Sequence, residues 1–212
     1  MKKLALLILM FSVAFGIYAQ SDARSKSILK KTSKVYKSMK SIEASFSFTT
    51  SSAKRKPVIN KGKLWLKGKS FKLELGDQEI MCDGKSIWTY SSTTDEVTLE
   101  SYSKRTNQMS PEEMFSFYEK GFKSLYEGKK TDGGKSYELI KLVPKKKRAK
   151  YSYIHVEINP SNNYIHKVTQ HMKNGMEIVI EISDFKRNAR VSSNLFIWDS
   201  SAHPGVALVD LR

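Results

Sequence analysis

The chain has 212 residues, 37 Lys+Arg against 21 Asp+Glu, a formal net charge of +16 and a single cysteine, Cys82. One cysteine excludes an intrachain disulfide, so packing alone must hold the fold. A charge this large attracts acidic partners such as nucleic acid, anionic headgroups or an acidic protein surface.

The first segment, MKKLALLILMFSVAFGIYAQS, has Lys2 and Lys3 before an apolar run from Leu4 to Phe15 and a small residue at Ala19. That order is a secretory signal peptide over residues 1–19, cut after Ala19. The apolar run is short for a membrane span. No cysteine stands directly after it, so no lipid anchor is expected at the new N-terminus. Residues 20–212 are then read as one exported, periplasmic domain with a net charge of +14 once Lys2 and Lys3 are gone. Export argues against nucleic acid as the partner, and the lysines read as a solvated surface.

Residues 24–42 place Ile28, Thr32, Val35, Met39 and Ile42 at helical spacing, with Leu29 and Tyr36 beside them and lysines and serines on the other face. Strands follow at ASFSFTTSS (44–52) and across GKLWLKGKSFKLEL (62–75), which alternates apolar and polar residues around a turn at Gly68. QEIMC (78–82) and SIWTYS (86–91) flank Asp83-Gly84-Lys85, a hairpin signal because glycine takes the positive φ the turn needs. EVTLESYS (96–103) continues the meander. A second helix is expected over Ser110 to Gly128, with Pro111 at its first turn and an aromatic stripe of Met114, Phe115, Tyr118, Phe122, Leu125 and Tyr126. Strands resume at 136–144, 151–160, 164–172 and 176–185, and a last apolar run, NLFIWD (194–199), precedes AHPGVALVDL. About nine or ten strands and two helices imply a large antiparallel sheet or barrel.

No catalytic set emerges. Gly-Lys-Ser occurs at Gly68, Gly84 and Gly134, but the glycine a phosphate loop needs five residues earlier is Lys63, Glu79 or Lys129. The four histidines lack metal-ligand spacing; His155 and His166 lie on neighbouring strands and read as half-exposed strand residues. The expectation is a protein that is not an enzyme and takes no cofactor and no metal. The basic stretch Lys145, Lys146, Lys147 and Arg148 reads as a solvated hairpin turn, with docking as the alternative.

Several motifs, in order, resemble the LolA family of periplasmic outer-membrane lipoprotein carriers. They are the amphipathic first helix, IEASF at 42–46, Gly62-x-Leu64-Trp65-x-Lys67, SFKLEL, Asp83-Gly84-Lys85-x-x-Trp88-x-Tyr90 and HPGVALVD at 203–210. The resemblance covers the whole exported chain. It implies an α+β, mainly-β fold: a single antiparallel sheet curled into an incomplete, half-open β-barrel, with helices as a lid over a cavity. It implies carriage of acylated lipoproteins from an inner-membrane lipoprotein-releasing transporter to an outer-membrane acceptor, by a monomer that does not span the membrane. Strand parity then makes Leu64, Leu66, Phe71, Leu73 and Leu75 the cavity lining, and the resemblance implies that Met114, Phe115, Tyr118 and Phe122 of the second helix form the lid. Alternatives are a carrier of another amphiphile, such as a phospholipid or lipid-like precursor, and a periplasmic envelope-stress sensor. The chain departs from the family where an arginine, which bonds to the lid, should follow the Gly-x-Leu-Trp strand. Gly68 and then Lys69 stand there.

Overall fold

The computed structural model describes residues 22–53, 55–102 and 115–212. The expected signal, Met114 and the expected helix start at Ser110 and Pro111 lie outside the described residues. One α-helix, α1 (22–37), is described. Twelve strands follow: β1 (Ile42–Ser52), β2 (Arg55–Lys67), β3 (Ser70–Leu75), β4 (Gln78–Cys82), β5 (Ser86–Ser91), β6 (Glu96–Ser101), β7 (Phe122–Asp132), β8 (Lys135–Pro144), β9 (Tyr151–Ile158), β10 (Ile165–Met172), β11 (Glu177–Arg187) and β12 (Ala207–Asp210). Their order is β12-β6-β5-β4-β3-β2-β1-β11-β10-β9-β8-β7, so the sheet is unclosed. The chain is mainly β with a large, unclosed, mostly antiparallel sheet and a helix, the class expected of an incomplete barrel. Two compact units make it up.

The first unit joins the segment ending at Tyr36 to residues 118–176 and contains α1 and β7–β10. Register places Glu138, Ile140 and Leu142 of β8 opposite Ile158, Val156 and Ile154 of β9, on one face. Ile140, Leu142, Val156 and Ile158 have no exposed surface. The helix lies on this face. Ser25 of α1 donates to the Asp22 carbonyl at 2.8 Å and to Ser124 Oγ of β7 at 2.9 Å. The Arg24 guanidinium sits 4.1 Å from the Tyr126 ring centroid. The amide of Ile165 donates to the Tyr36 hydroxyl at 3.0 Å. Burial dominates at Tyr36 and pushes its phenol well above the ordinary value.

The buried stripe of α1 is Ser25, Leu29, Thr32, Ser33 and Tyr36, whereas Ile28 and Val35 are half-buried. The expected stripe was therefore rotated, and Ser25 and Ser33 belong to the inner face, not the solvated one. Short hydroxyl side chains let the helix approach the sheet closely, and Ser33 has a partner there in Glu119.

The helix expected through residue 128 does not form over residues 115–132. A short 3₁₀ turn, Phe117–Glu119, is followed by β7. Gly121 and Gly128 take φ of +87° and +107°, conformations an α-helix excludes. FKSLYE between them alternates: Ser124 and Tyr126 face Leu142 and Ile140, while Lys123 and Leu125 face Val143 and Lys141. The aromatic stripe also fits a two-residue period.

The second unit spans residues 37–117 and 177–212. Its strand order is β12-β6-β5-β4-β3-β2-β1-β11. The Asp83 carboxylate accepts from the amides of Lys85 and Ser86, both at 2.8 Å, and Gly84 takes φ +93°, as the hairpin signal requires. Cys82 is fully buried, and burial raises its thiol pKa, so it serves as a small apolar residue.

Sequence reading placed polar residues on the second face of β2 and β3, and there Lys72 pairs with Glu74 and Glu79 at 3.0 and 2.8 Å. Further along, the same face turns apolar. Register aligns Lys72 with Met81, Met81 with Trp88 and Trp88 with Leu99, and Met81, Val97 and Leu99 are buried. The C-terminal segment covers it. The 3₁₀ turn Ser193–Phe196 lies against β3 and β4, Phe196 is buried, and Trp198 and His203 pack their rings on Tyr90 at 5.1 and 5.5 Å. Gly205, at φ +90°, then turns the chain into β12, parallel to β6.

Glu43 joins three strands of this unit, with Lys63 at 3.2 Å and Lys186 at 3.3 Å. Hydrogen bonding from Lys63, reinforced by Lys186, holds its carboxyl below the usual glutamate value of 4.5. A depressed folded-state pKa gives stability that is present above the unfolded value and lost as pH falls through the folded one. Wild-type protein is therefore expected to lose stability as pH falls below about 4.5. Glu43→Gln should be slightly less stable at neutral pH and lose less over that window. Urea unfolding at pH 7 and pH 3.5 checks this.

Candidate functional site

The five residues named from strand parity share one face of β2 and β3. Leu64 stands opposite Leu73, Leu66 opposite Phe71, and Leu75 opposite Gly62. The face continues into Ile42 and Ala44 of β1, opposite Leu66 and Leu64, and into Cys82 and Ile80 of β4, opposite Phe71 and Leu73. Burial is graded along it. Leu64, Leu66, Phe71, Ile42 and Ala44 are buried, whereas Leu73, Leu75, Ile80 and Phe46 remain partly exposed. One end of the face is packed and the other presents apolar surface to whatever fills it.

Gly62 has a definite steric role on this face. A methyl group built there would stand 2.7 Å from Cε2 of Phe46 and 2.8 Å from the carbonyl oxygen of Glu74. The Phe46 ring lies over β2 only because Gly62 has no side chain. Gly62→Ala should displace that ring or strain the strand, at a cost of about 1–3 kcal/mol. Chemical denaturation compared with a surface control, Lys61→Ala, tests it; an unchanged midpoint would show that the ring moves freely.

Of the expected lid, Phe115 and Tyr118 are buried, at 8% and 3% exposure. Phe122 is a strand residue of β7, stacked on Tyr151 at 5.9 Å between ring centroids, so the sheet and not a helix holds it. Lys145, Lys146, Lys147 and Arg148 form the exposed turn between β8 and β9. The turn is held by Lys145 N–H on the Gly121 carbonyl at 2.8 Å and by the Lys173 ammonium on the Lys147 carbonyl at 2.8 Å.

The position that departs from the family pattern is also clear. Gly68 takes φ +59° in the turn between β2 and β3, and Lys69 is exposed beside it. Lys67 points to the face opposite Leu66 and donates to the Val191 carbonyl at 3.3 Å. It borders a groove of about 510 Å³ that Lys40 and Arg190 also line. This basic groove was not foreseen, because its cations come from three distant segments.

The family profile described as "Outer membrane lipoprotein carrier protein LolA" matches residues 37–199. The chain belongs to the LolA family. No curated protein sequence matches it. Among solved structures, a conserved protein from Thermus thermophilus described as uncharacterized matches with a TM-score of 0.60 at 10% identity, over 88% of this chain and 99% of that one. MucB matches with a TM-score of 0.52 at 12% identity, over 87% of this chain and 66% of that one. MucB in the MucA/MucB complex of Pseudomonas aeruginosa gives 0.51 at 10% identity, over 84% of this chain and 62% of that one. At such identities these likenesses speak to the fold. Among the described residues, no helix is long and apolar enough to cross a membrane.

Proposed function

We propose that this LolA-family protein is a periplasmic carrier, with residues 1–19 as its export signal. It takes the acyl chains of a lipoprotein onto the apolar face of β1–β4 and hands them to an outer-membrane acceptor. The observation that carries the reading is the graded burial of that face. Leu64, Leu66 and Phe71 give it a rigid floor, while Leu73 and Leu75 leave apolar area for a ligand to cover. Each methylene taken from water there is worth about 0.8 kcal/mol. A carrier must release its cargo, so a partly open face suits it better than a sealed core. The exposed Lys145–Arg148 turn supplies positive charge for docking at an acidic membrane or partner surface.

A second reading has its own support. The likeness to MucB, a protein solved in complex with MucA, supports a reading in which the chain binds a protein partner, as a periplasmic envelope-stress sensor would. Protein crosslinked in cells and purified after detergent extraction of the whole envelope separates the two. Lipid extraction and mass spectrometry should find acylated lipoprotein bound to it. A regulatory membrane protein bound without lipoprotein would replace the carrier reading with the sensor reading.

A further inference from the structure

The face of the β7–β10 sheet that turns away from α1 carries a cluster of rings and charges. His155 of β9 stands opposite Lys141 of β8 and Thr169 of β10, and His171 stands opposite Tyr153. The two histidines are thus diagonal neighbours on one face. His171 Nε2 lies 3.3 Å from His155 Nδ1. The other nitrogen of His155, Nε2, lies 2.9 Å from Glu127 Oε2. Glu127 reaches it from the bulge in β7 between Tyr126 and Gly128. Tyr153 packs against both rings, at 4.2 Å from His171 and 5.0 Å from His155. The sequence reads His155 and His166 as half-exposed residues on neighbouring strands, without metal-ligand spacing. His166 stacks on Tyr137 at 4.1 Å.

We propose that His155 and His171 form a cross-strand site for a divalent transition-metal ion, with zinc the best fit. Two imidazole nitrogens at about 2.05 Å from a tetrahedral zinc ion stand about 3.3 Å apart, the separation these rings already have. With Glu127 accepting the Nε2 proton of His155, the Nδ1 of His155 is the acceptor facing His171 Nε2, and a metal ion would take the place of the proton these two nitrogens share. A carboxylate holding the far nitrogen of a ligating histidine fixes its tautomer and raises its basicity. His171 ligates through Nε2 with its own proton on Nδ1, and water completes the coordination. Imidazole ligands select zinc, copper or nickel over magnesium or calcium. The Lys141 ammonium, 3.4 Å from Glu127 and 4.4 Å from the Tyr153 ring centroid, is an unfavourable charge beside the site, and Glu127 offsets it. His155 is 23% exposed, so an ion can reach it from solvent. All of its residues lie within the first unit.

The test is a zinc titration against a chromophoric chelator, using protein without a polyhistidine tag. The expected result is one zinc bound per chain, at least tenfold weaker binding in His155→Ala and in His171→Ala, and about tenfold weaker binding in Glu127→Gln. Thermal melting of the metal-free variants controls for folding. Should the alanine variants fail to fold, Glu127→Gln and the visible spectrum of cobalt(II) on the wild-type protein decide, with a tetrahedral nitrogen-ligated spectrum expected. No zinc uptake by the wild type, or equal uptake by the double alanine variant, overturns the proposal.

Discussion

Leu73→Arg is expected to abolish capture of acylated lipoprotein while leaving the protein folded. Leu73 lies between Leu64 and Ile80 in register, on the partly exposed end of the apolar face. An arginine there can carry its stem along the face and hold its guanidinium in water, so the sheet tolerates it. The same head group blocks the ground an acyl chain would cover. Excluding about four methylenes removes about 3 kcal/mol, roughly a hundredfold in affinity. Lipoprotein capture from membranes measures the loss, and a melting curve measures the fold. Unimpaired capture in a well-folded variant would place the binding surface elsewhere.

Leu142→Ala is expected to have the opposite profile. Leu142 has no exposed surface and stands opposite Ser124 and Ile154, on the face that carries α1. Its truncation removes transfer energy and leaves a cavity, with a cost of about 2–5 kcal/mol. Leu75→Ala, on the half-buried end of the other unit's face, should cost less than about 1 kcal/mol. Urea unfolding of the pair separates packed core from ligand surface. If Leu75→Ala costs as much as Leu142→Ala, Leu75 is core and the binding face is smaller than drawn.

Much of the second unit was readable in residue order. β4 and β5 run over the residues expected from QEIMC, SIWTYS and the Asp-Gly signal, because local turn chemistry fixes a two-residue alternation on either side. That Leu64, Leu66, Phe71, Leu73 and Leu75 share one face followed from parity and the turn at Gly68. Elsewhere tertiary context decided. The stretch from Phe115 to Gly128 has apolar residues at both helical and strand spacing, and two positive-φ glycines settle it as a turn and a strand. Ser25 and Ser33 looked solvated because serine usually is, yet each meets a hydroxyl or carboxylate partner remote in sequence. The apolar second face of β4–β6 was hidden because its cover arrives from residues 193–203. The pairing of His155 with His171 depends on the bulges in β10 that shift its register against β9, which no spacing rule reveals.

The central claim is that hydrocarbon occupies the apolar face of β2 and β3. A photo-crosslinking residue at Leu75, which is half-buried and so can be replaced without unfolding the strand, tests it in living cells. Irradiation followed by mass spectrometry should yield adducts to the acyl chains of lipoproteins. A folded, exported protein that gives no acyl adduct at Leu75 would contradict the carrier account.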